Sequence, residues 1–240
     1  MTTNAYCRAA RLMASDSRWS YKGSSFYLYV DDTGFDKIDY IPGKAGFLFA
    51  GDSEVIAKWK AWIYSSPASL AYRPEVKAIS VCIVNEQTGE FQEWHGNPLP
   101  NAWFAGTGSA YAIGCWAANK DAMRAIETAK GFDPQSGGTT KFYDLGTKSH
   151  NLSMESSVKV IGEALLKRGM VMYRKNGIAP AQTPIADVIG SDAEVRAVCE
   201  QIEQGAISAS APCPGAMQEW SAEEEKSLNS ALADIFGMAH

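Results

Sequence analysis

The sequence is poor in the features that mark several functional classes. It has three histidines, His95, His150 and His240, in no H-x-x-x-H or Cys/His grouping, so a zinc centre is not expected. Its five cysteines, at 7, 82, 115, 199 and 213, form no CxxC pair and no even-numbered framework, which favours a reducing compartment over a disulfide scaffold. No apolar run approaches the length of a membrane span, and the opening residues MTTNAYCRAARLMASDSR carry Arg8 and Arg11 where a secretory leader needs an unbroken apolar stretch. The expectation is a soluble, cytoplasmic chain. A basic stripe is missing too: the net charge is -5, with both signs interspersed, so neither nucleic acid nor an anionic membrane surface is an expected partner.

What is present is material for a core. Of 240 residues, 46% are hydrophobic and 20% charged, enough for one generous domain or a domain with an appended segment. Residues 2–18 read as two short strands with a tight connection near Arg8 to Arg11. FYLYV (26–30), Lys37 to Ile41 and GFLFA (46–50) read as further strands, separated by the turn residues Asp31-Asp32-Thr33-Gly34. Beyond Gly51 the period changes. Val55, Ile56, Trp59, Trp62 and Ile63 fall at helical spacing behind Asp52 or Ser53 as cap, and Ser66, Pro67 and Pro74 break that helix.

Strands are expected again over 78–84, near 91–94 and over 102–105. Gly106-Thr107-Gly108-Ser109 then leads into a helix over 110–118, with a second over about 119–130 stopping at Gly131, and a strand over 138–145. The remainder is mainly helical, with a strand at 170–174. Ser191-x-x-Glu194 and Ser221-x-x-Glu224 read as capping boxes, and the Ala/Ser/Pro-rich stretch from Gly205 to Gly215 as a linker between two helices. The tryptophans at 59, 62, 94, 103 and 116 fit core or subunit contacts better than a ligand cage.

Several short motifs have bland readings when taken singly. Thr2 is then a polar residue near a terminus, Asp16 an edge residue, Arg18 and Lys37 solvated charges. Gly106-x-Gly108 is a candidate phosphate-cradling turn, although it lacks the surrounding βαβ unit, and Asp133-Pro134-Gln135-Ser136-Gly137-Gly138 is good loop chemistry. Their order is more specific than any one of them. The succession of an early Thr-Thr, Asp16-Ser17-Arg18, Lys37, Ala50-Gly51, Gly106 to Ser109 and Asp133 to Gly138 resembles the proteasome β-subunit family, bacterial proteasome-like peptidases included, over roughly residues 2–145. This chain departs from the family pattern in a shorter first hairpin, in Thr107 where Ser is usual, in Gly131-Phe132 before Asp133 where Arg is common, and in room for one long helix rather than two between Gly51 and Ala78.

The resemblance implies an α+β fold: a four-layer αββα sandwich of the N-terminal-nucleophile hydrolase type over residues 1–185, with a mainly helical C-terminal extension over 186–240. It implies a threonine peptidase without a cofactor, acting on polypeptide and assembling as a homo-oligomeric ring or related assembly, with an unfoldase partner left open. Removal of Met1 would make Thr2 the nucleophile and its α-amine the base. An α-amine has an ordinary pKa of about 8, so a useful neutral fraction exists at pH 7.

Lys37 is then expected beside the hydroxyl, with Asp16 balancing its charge, and Gly51 as an oxyanion donor whose missing side chain leaves room for substrate. Thr107 or Ser109, with Asp133, Ser136 and Gly137, is expected to order the terminal amine and its water. Two other readings stay open: a non-catalytic ring-forming or binding protein of the same fold, and an amidase acting on a small amide.

Overall fold

The computed structural model describes residues 2–65, 69–174 and 181–238. Met1 and the Ser66-Pro67 helix break lie outside the described residues. The first half of the chain gives strands β1 (Asn4–Cys7), β2 (Leu12–Ser15), β3 (Trp19–Lys22), β4 (Phe26–Val30), β5 (Ile38–Ile41) and β6 (Ala45–Asp52), then helix α1 (Ser53–Tyr64). There follow β7 (Ile79–Asn85), β8 (Phe91–Trp94), β9 (Asn97–Leu99), β10 (Ala102–Ala105), α2 (Ser109–Asn119), α3 (Ala122–Phe132) and β11 (Lys141–Asp144). The last part is α4 (Lys159–Arg168), β12 (Met170–Tyr173), β13 (Gln182–Pro184), α5 (Ile185–Val188), α6 (Ala193–Glu203), β14 (Ser210–Ala211) and α7 (Ala222–Phe236).

The strands form two sheets of mixed α/β architecture. One is ordered β11-β2-β1-β10-β9. The other runs β13-β12-β4-β3-β14-β6-β7-β8, with β5 also paired to β6. All their pairings are antiparallel.

Side chains alternate faces along a strand, and the core is divided accordingly. Phe47 and Phe49 of β6 join one apolar cluster with Trp59 of α1, Leu165 of α4, Val195 of α6 and Leu232 of α7. Their neighbours Leu48 and Ala50 face the other way. They meet Tyr6 of β1, Met13 of β2 and Trp103 of β10, so this cluster draws on both sheets. Ala5, Cys7 and Phe104 take the opposite side of the five-stranded sheet and pack with Trp116 of α2 and Ile126 of α3. Strands buried on both faces explain why GFLFA and AISVCIV read as continuous apolar runs.

Local chemistry fixes most helix starts. Asp52 caps α1 through Glu54 and Val55, and Ser221 with Glu224 forms the expected capping box on α7. At α6 the expected box at Ser191 is not made. Asp192 takes the cap instead, one residue closer, accepting from the amides of Glu194 and Val195. Gly131 does not stop α3, which continues to Phe132, and the strand expected over 138–145 is confined to Lys141–Asp144. The stretch expected to be a linker is also corrected: Ser210 and Ala211 form β14 between β3 and β6.

Among the described residues no helix is long and apolar enough to cross a membrane, and no group of three or more His, Cys, Asp or Glu is placed to hold a metal. All five cysteines are free thiols. The packing of α7 against the nine-stranded sheet predicts that Leu232→Ala, at a fully buried position, lowers stability by about 2–5 kcal/mol. Urea unfolding is the check. A single transition with a reduced midpoint is expected, whereas an unchanged main transition would mean that α7 folds as a separate unit.

Candidate functional site

Asp16 follows β2 and is almost completely buried. A buried carboxylate is tolerable only when its lone pairs are occupied, and here both oxygens are. Oδ1 accepts from the Thr2 hydroxyl at 2.6 Å, the Thr3 amide at 2.8 Å and the Lys37 ammonium at 2.8 Å. Oδ2 accepts from the amides of Arg18 and Gly137, each at 3.1 Å. Burial alone would raise the Asp16 pKa. The Lys37 charge, with hydrogen bonds from Lys37, Thr2 and Thr3, outweighs it and holds the carboxyl below its ordinary range.

Lys37 precedes β5, and its carbonyl accepts from the Phe49 amide of β6 at 2.9 Å, which fixes the origin of the side chain. Its ammonium also donates to the Asp16 carbonyl at 3.0 Å and stands 5.4 Å from the Trp19 ring centroid. Burial pulls the Lys37 pKa below its usual value, and Asp16 opposes that pull. Lys37 and Thr2 therefore meet through the shared oxygen of Asp16.

A second layer holds this group from behind. Arg18 makes two hydrogen bonds to the Asp31 carboxylate, both at 2.8 Å, donates to the Pro134 carbonyl at 2.6 Å and lies 3.8 Å from the centroid of the Tyr29 ring. The loop from Asp133 to Gly138 closes over it. A side chain at Gly137 would place its Cβ 2.3 Å from the Arg18 guanidinium, so glycine is needed where that loop crosses the arginine.

Asp133 gathers the hydroxyls on the other side. Its Oδ2 accepts from Thr107 at 2.9 Å and Ser136 at 2.8 Å, while Ser136 Oγ lies 2.7 Å from Thr3 Oγ1. With the Ser136 proton committed to Asp133, Thr3 is the donor to Ser136. The glycines of Gly106-Thr107-Gly108 serve close packing against the first residues of the chain. A Cβ at Gly106, which has φ +94°, would meet the Thr2 carbonyl oxygen at 1.8 Å, and one at Gly108 would meet Thr3 Oγ1 at 2.1 Å. This steric need accounts for a Gly-x-Gly that by itself resembles a phosphate turn.

The expected residues therefore fall into two joined clusters and two residues that stand apart. Thr2, Asp16, Lys37 and Gly137 converge on one carboxylate, and Thr107, Asp133 and Ser136 form an adjoining cluster joined to them through Thr3. Ser109 stands apart, its hydroxyl accepting from Asn97 at 3.2 Å. Gly51 lies on β6 opposite Ala211, with φ +128° and no space for a side chain beneath the Ala78 carbonyl.

A cleft of ≈ 450 Å³ adjoins both Gly51 and Thr107, with Tyr27, Gln135, Pro212 and Met217 among its walls. Thr2 itself is fully buried in this chain, which begins with Met1. Sequence reasoning passed over Thr3, which bridges the two clusters, and Asp31, which the β3–β4 hairpin register places opposite Arg18: Trp19 pairs with Val30, one step further on.

No protein-family model matches the chain, and no curated protein matches it. Among solved structures it is similar to "Thiobacillus denitrificans BPH in complex with Epoxomicin" (TM-score 0.40, 17% identity, covering 60% of this chain and 97% of that one). It is also similar to eukaryotic HslV from Trypanosoma brucei (0.39, 15%, 58% and 97%) and to a second structure of Thiobacillus denitrificans BPH (0.38, 16%, 59% and 95%). At these values the likeness assigns neither family nor chemistry to this chain.

The Asp16 arrangement predicts that Asp16→Asn costs about 3–5 kcal/mol at neutral pH, because the Lys37 ammonium is left buried without its counter-charge. The sign of the pH effect follows from the depressed carboxyl. Its contribution is fully present above an unfolded-state pKa of about 3.9 and is lost as pH falls from there through the lower folded-state value. Thermal unfolding between pH 7 and pH 3 should show a flatter acid limb in Asp16→Asn than in the parent. Parallel acid limbs would contradict the assignment.

Proposed function

We propose that this chain is an N-terminal-nucleophile hydrolase of the threonine-peptidase type, activated by removal of Met1 so that Thr2 carries both a hydroxyl and a free α-amine. The observation that carries the reading is the convergence of the Thr2 hydroxyl and the Lys37 ammonium on one oxygen of a buried carboxylate, which scattered polar residues have no reason to produce. The burial of both sheets, with helices packed against each, supports the four-layer αββα sandwich that this chemistry uses elsewhere.

In the proposed reaction Thr2 Oγ attacks the scissile carbonyl while its proton passes to the neutral α-amine. The tetrahedral oxyanion is stabilised by the amide of Gly51, and the protonated α-amine returns its proton to the leaving amine as the C–N bond breaks, leaving an ester on Thr2. Water, deprotonated by the same amine, hydrolyses that ester. Asp16, with its carboxyl held ionised, makes a poor base here; its task is to hold Lys37 and Thr2 in register. Lys37 supplies positive potential that favours the developing alkoxide and keeps the neighbouring amine neutral.

Asp133, Ser136 and Thr107 act on the amine side through their hydroxyl network, Ser109 lies behind them at the start of α2, and Gly137 ties their loop to Asp16. The substrate is a peptide bond. A homo-oligomeric assembly, the cytoplasm as compartment and the absence of any cofactor complete the proposal.

The buried state of Thr2 in the Met1-bearing chain supports a second reading, that a chain retaining Met1 is a non-catalytic protein of the same fold. Amide-hydrolysis assays on protein whose first residue has been established separate the two. Thr2→Ala should lose activity by at least about 10³-fold while Thr2→Ser keeps a measurable fraction of it. Activity that survives Thr2→Ala at the parent level would rule out Thr2 as nucleophile. Lys37→Met, with its fold verified by circular dichroism, should lower kcat far more than it changes KM.

A further inference from the structure

β3 and β6 both lead into the candidate site, one from Asp16-Ser17-Arg18 and the other through Gly51, yet they are not paired with each other. The two-residue strand β14 lies between them, with Ser210 opposite Ser20 on one side and opposite Asp52 on the other, and Ala211 opposite Gly51. Two strand spacings, roughly 10 Å, separate β3 from β6, which is room for one extended segment and no more. Without β14 the two strands would line a groove with exposed backbone donors and acceptors on both walls, the arrangement that captures extended peptides by strand addition.

The register says what the segment does there. Ser53 donates its amide to the Ala209 carbonyl at 3.1 Å, and the Asp52 amide turns away to Ala78. By the alternation of an antiparallel ladder, Ala211 and Gly51 form the next hydrogen-bonded pair, which puts the Ala211 carbonyl on the Gly51 amide. That amide is the one assigned to the oxyanion. Pro212, the next residue, is in the wall of the cleft that Gly51 and Thr107 share. We propose that Ala209–Pro212 is an internal substrate mimic, a piece of the chain held as an extended peptide in the groove between β3 and β6, so that an added polypeptide binds only when this segment leaves.

The means of holding and releasing it are also visible. The side chains that anchor it are small: Ser208 donates to the Asp52 carboxylate at 2.6 Å, Ser210 to the Ser20 carbonyl at 3.3 Å, and Ala209 and Ala211 are buried with only a methyl each. Its far end is held against the β8–β9 connection: Cys213 Sγ donates to the His95 carbonyl at 3.7 Å, and Gly215 packs so closely on that carbonyl that a Cβ there would lie 2.0 Å from its oxygen. Its near end is the exposed turn at Gly205, which has φ +67° and open space around it. The segment is therefore built to swing out from the Gly205 side. The groove should take extended peptides with small side chains, as its own Ala-Ser-Ala does.

The inference rests on the Thr2 reading for what the groove is used for, but not for whether the segment fills it, and binding can be read apart from turnover. The probe is a fluorescently tagged acetyl-Ala-Ser-Ala amide, followed by anisotropy on the full chain carrying a specific protease site inserted at Gly205, before and after cleavage. The nicked protein should bind at least tenfold more tightly than the intact one. Amide hydrogen exchange at Gly51 should be slow in the intact chain, fast after nicking and slow again with peptide bound. Equal binding before and after the nick, in protein that still unfolds cooperatively, would overturn the proposal. If nicking unfolds the protein, the uncut double variant Ser208→Ala/Ser210→Ala decides: binding severalfold tighter than the parent supports the mimic, and parent-level binding refutes it. Peptide binding without turnover would leave the mimic standing and count against Thr2 alone.

Discussion

The carboxylate of Asp16 is the constraint on which the rest of the site depends. Its five donors come from the chain start before β1, from the turn into β3, from the residue before β5 and from the loop between α3 and β11. Two of those segments lead into the five-stranded sheet and two into the nine-stranded sheet, so one buried charge ties the sheets together at one end. Removing two charges from water is expensive, and the return comes only with complete hydrogen bonding on both sides. That condition explains the glycine at 137, whose amide completes the second oxygen and whose missing side chain lets the loop approach Arg18.

Much of this was legible in the sequence because the signals were local. FYLYV and GFLFA announced strands, and Asp52 and Ser221 announced helix starts; the order of Thr2, Asp16, Lys37 and Asp133 is not local but a family resemblance, and the structure brings the first three to one carboxylate with Asp133 in the adjoining cluster. What escaped was set by tertiary contact. Ser210 and Ala211 carry no β-branched or aromatic character and sit among Ser, Ala and Pro. Nothing local identifies them as a strand, and only the vacancy between β3 and β6 makes them one. Asp192 takes the cap although Ser191 stands beside it, and the Ser191 hydroxyl donates instead to the Val188 carbonyl. Thr3 was overlooked because a sequence gives no reason to separate the roles of two adjacent threonines, whereas in the structure the Thr2 hydroxyl goes to Asp16 and the Thr3 hydroxyl to Ser136.

Two features of the structure bear on how the proposed chemistry would be reached. The Thr2 hydroxyl is buried and donates to Asp16, and Ala211 of β14 stands opposite Gly51, where the alternation of the ladder directs its carbonyl to the Gly51 amide. If Thr2 is the nucleophile and Gly51 the oxyanion donor, as proposed, removal of Met1 supplies the free α-amine and departure of β14 frees the Gly51 amide. The buried pair of Asp16 and Lys37 fixes the surrounding segments of both sheets, so the proposed chemistry would depend on the chain terminus and on β14 rather than on rearrangement of the core.

The central claim is that Thr2 becomes the first residue and reacts as the nucleophile. Its most direct measurement is tandem mass spectrometry of the N-terminal peptide from purified protein treated with an acylating β-lactone. The account predicts a peptide that begins at Thr2 and carries the acyl group on the Thr2 side chain. A peptide that still begins at Met1, or an acyl group found on any other residue with Thr2 unmodified, would contradict it.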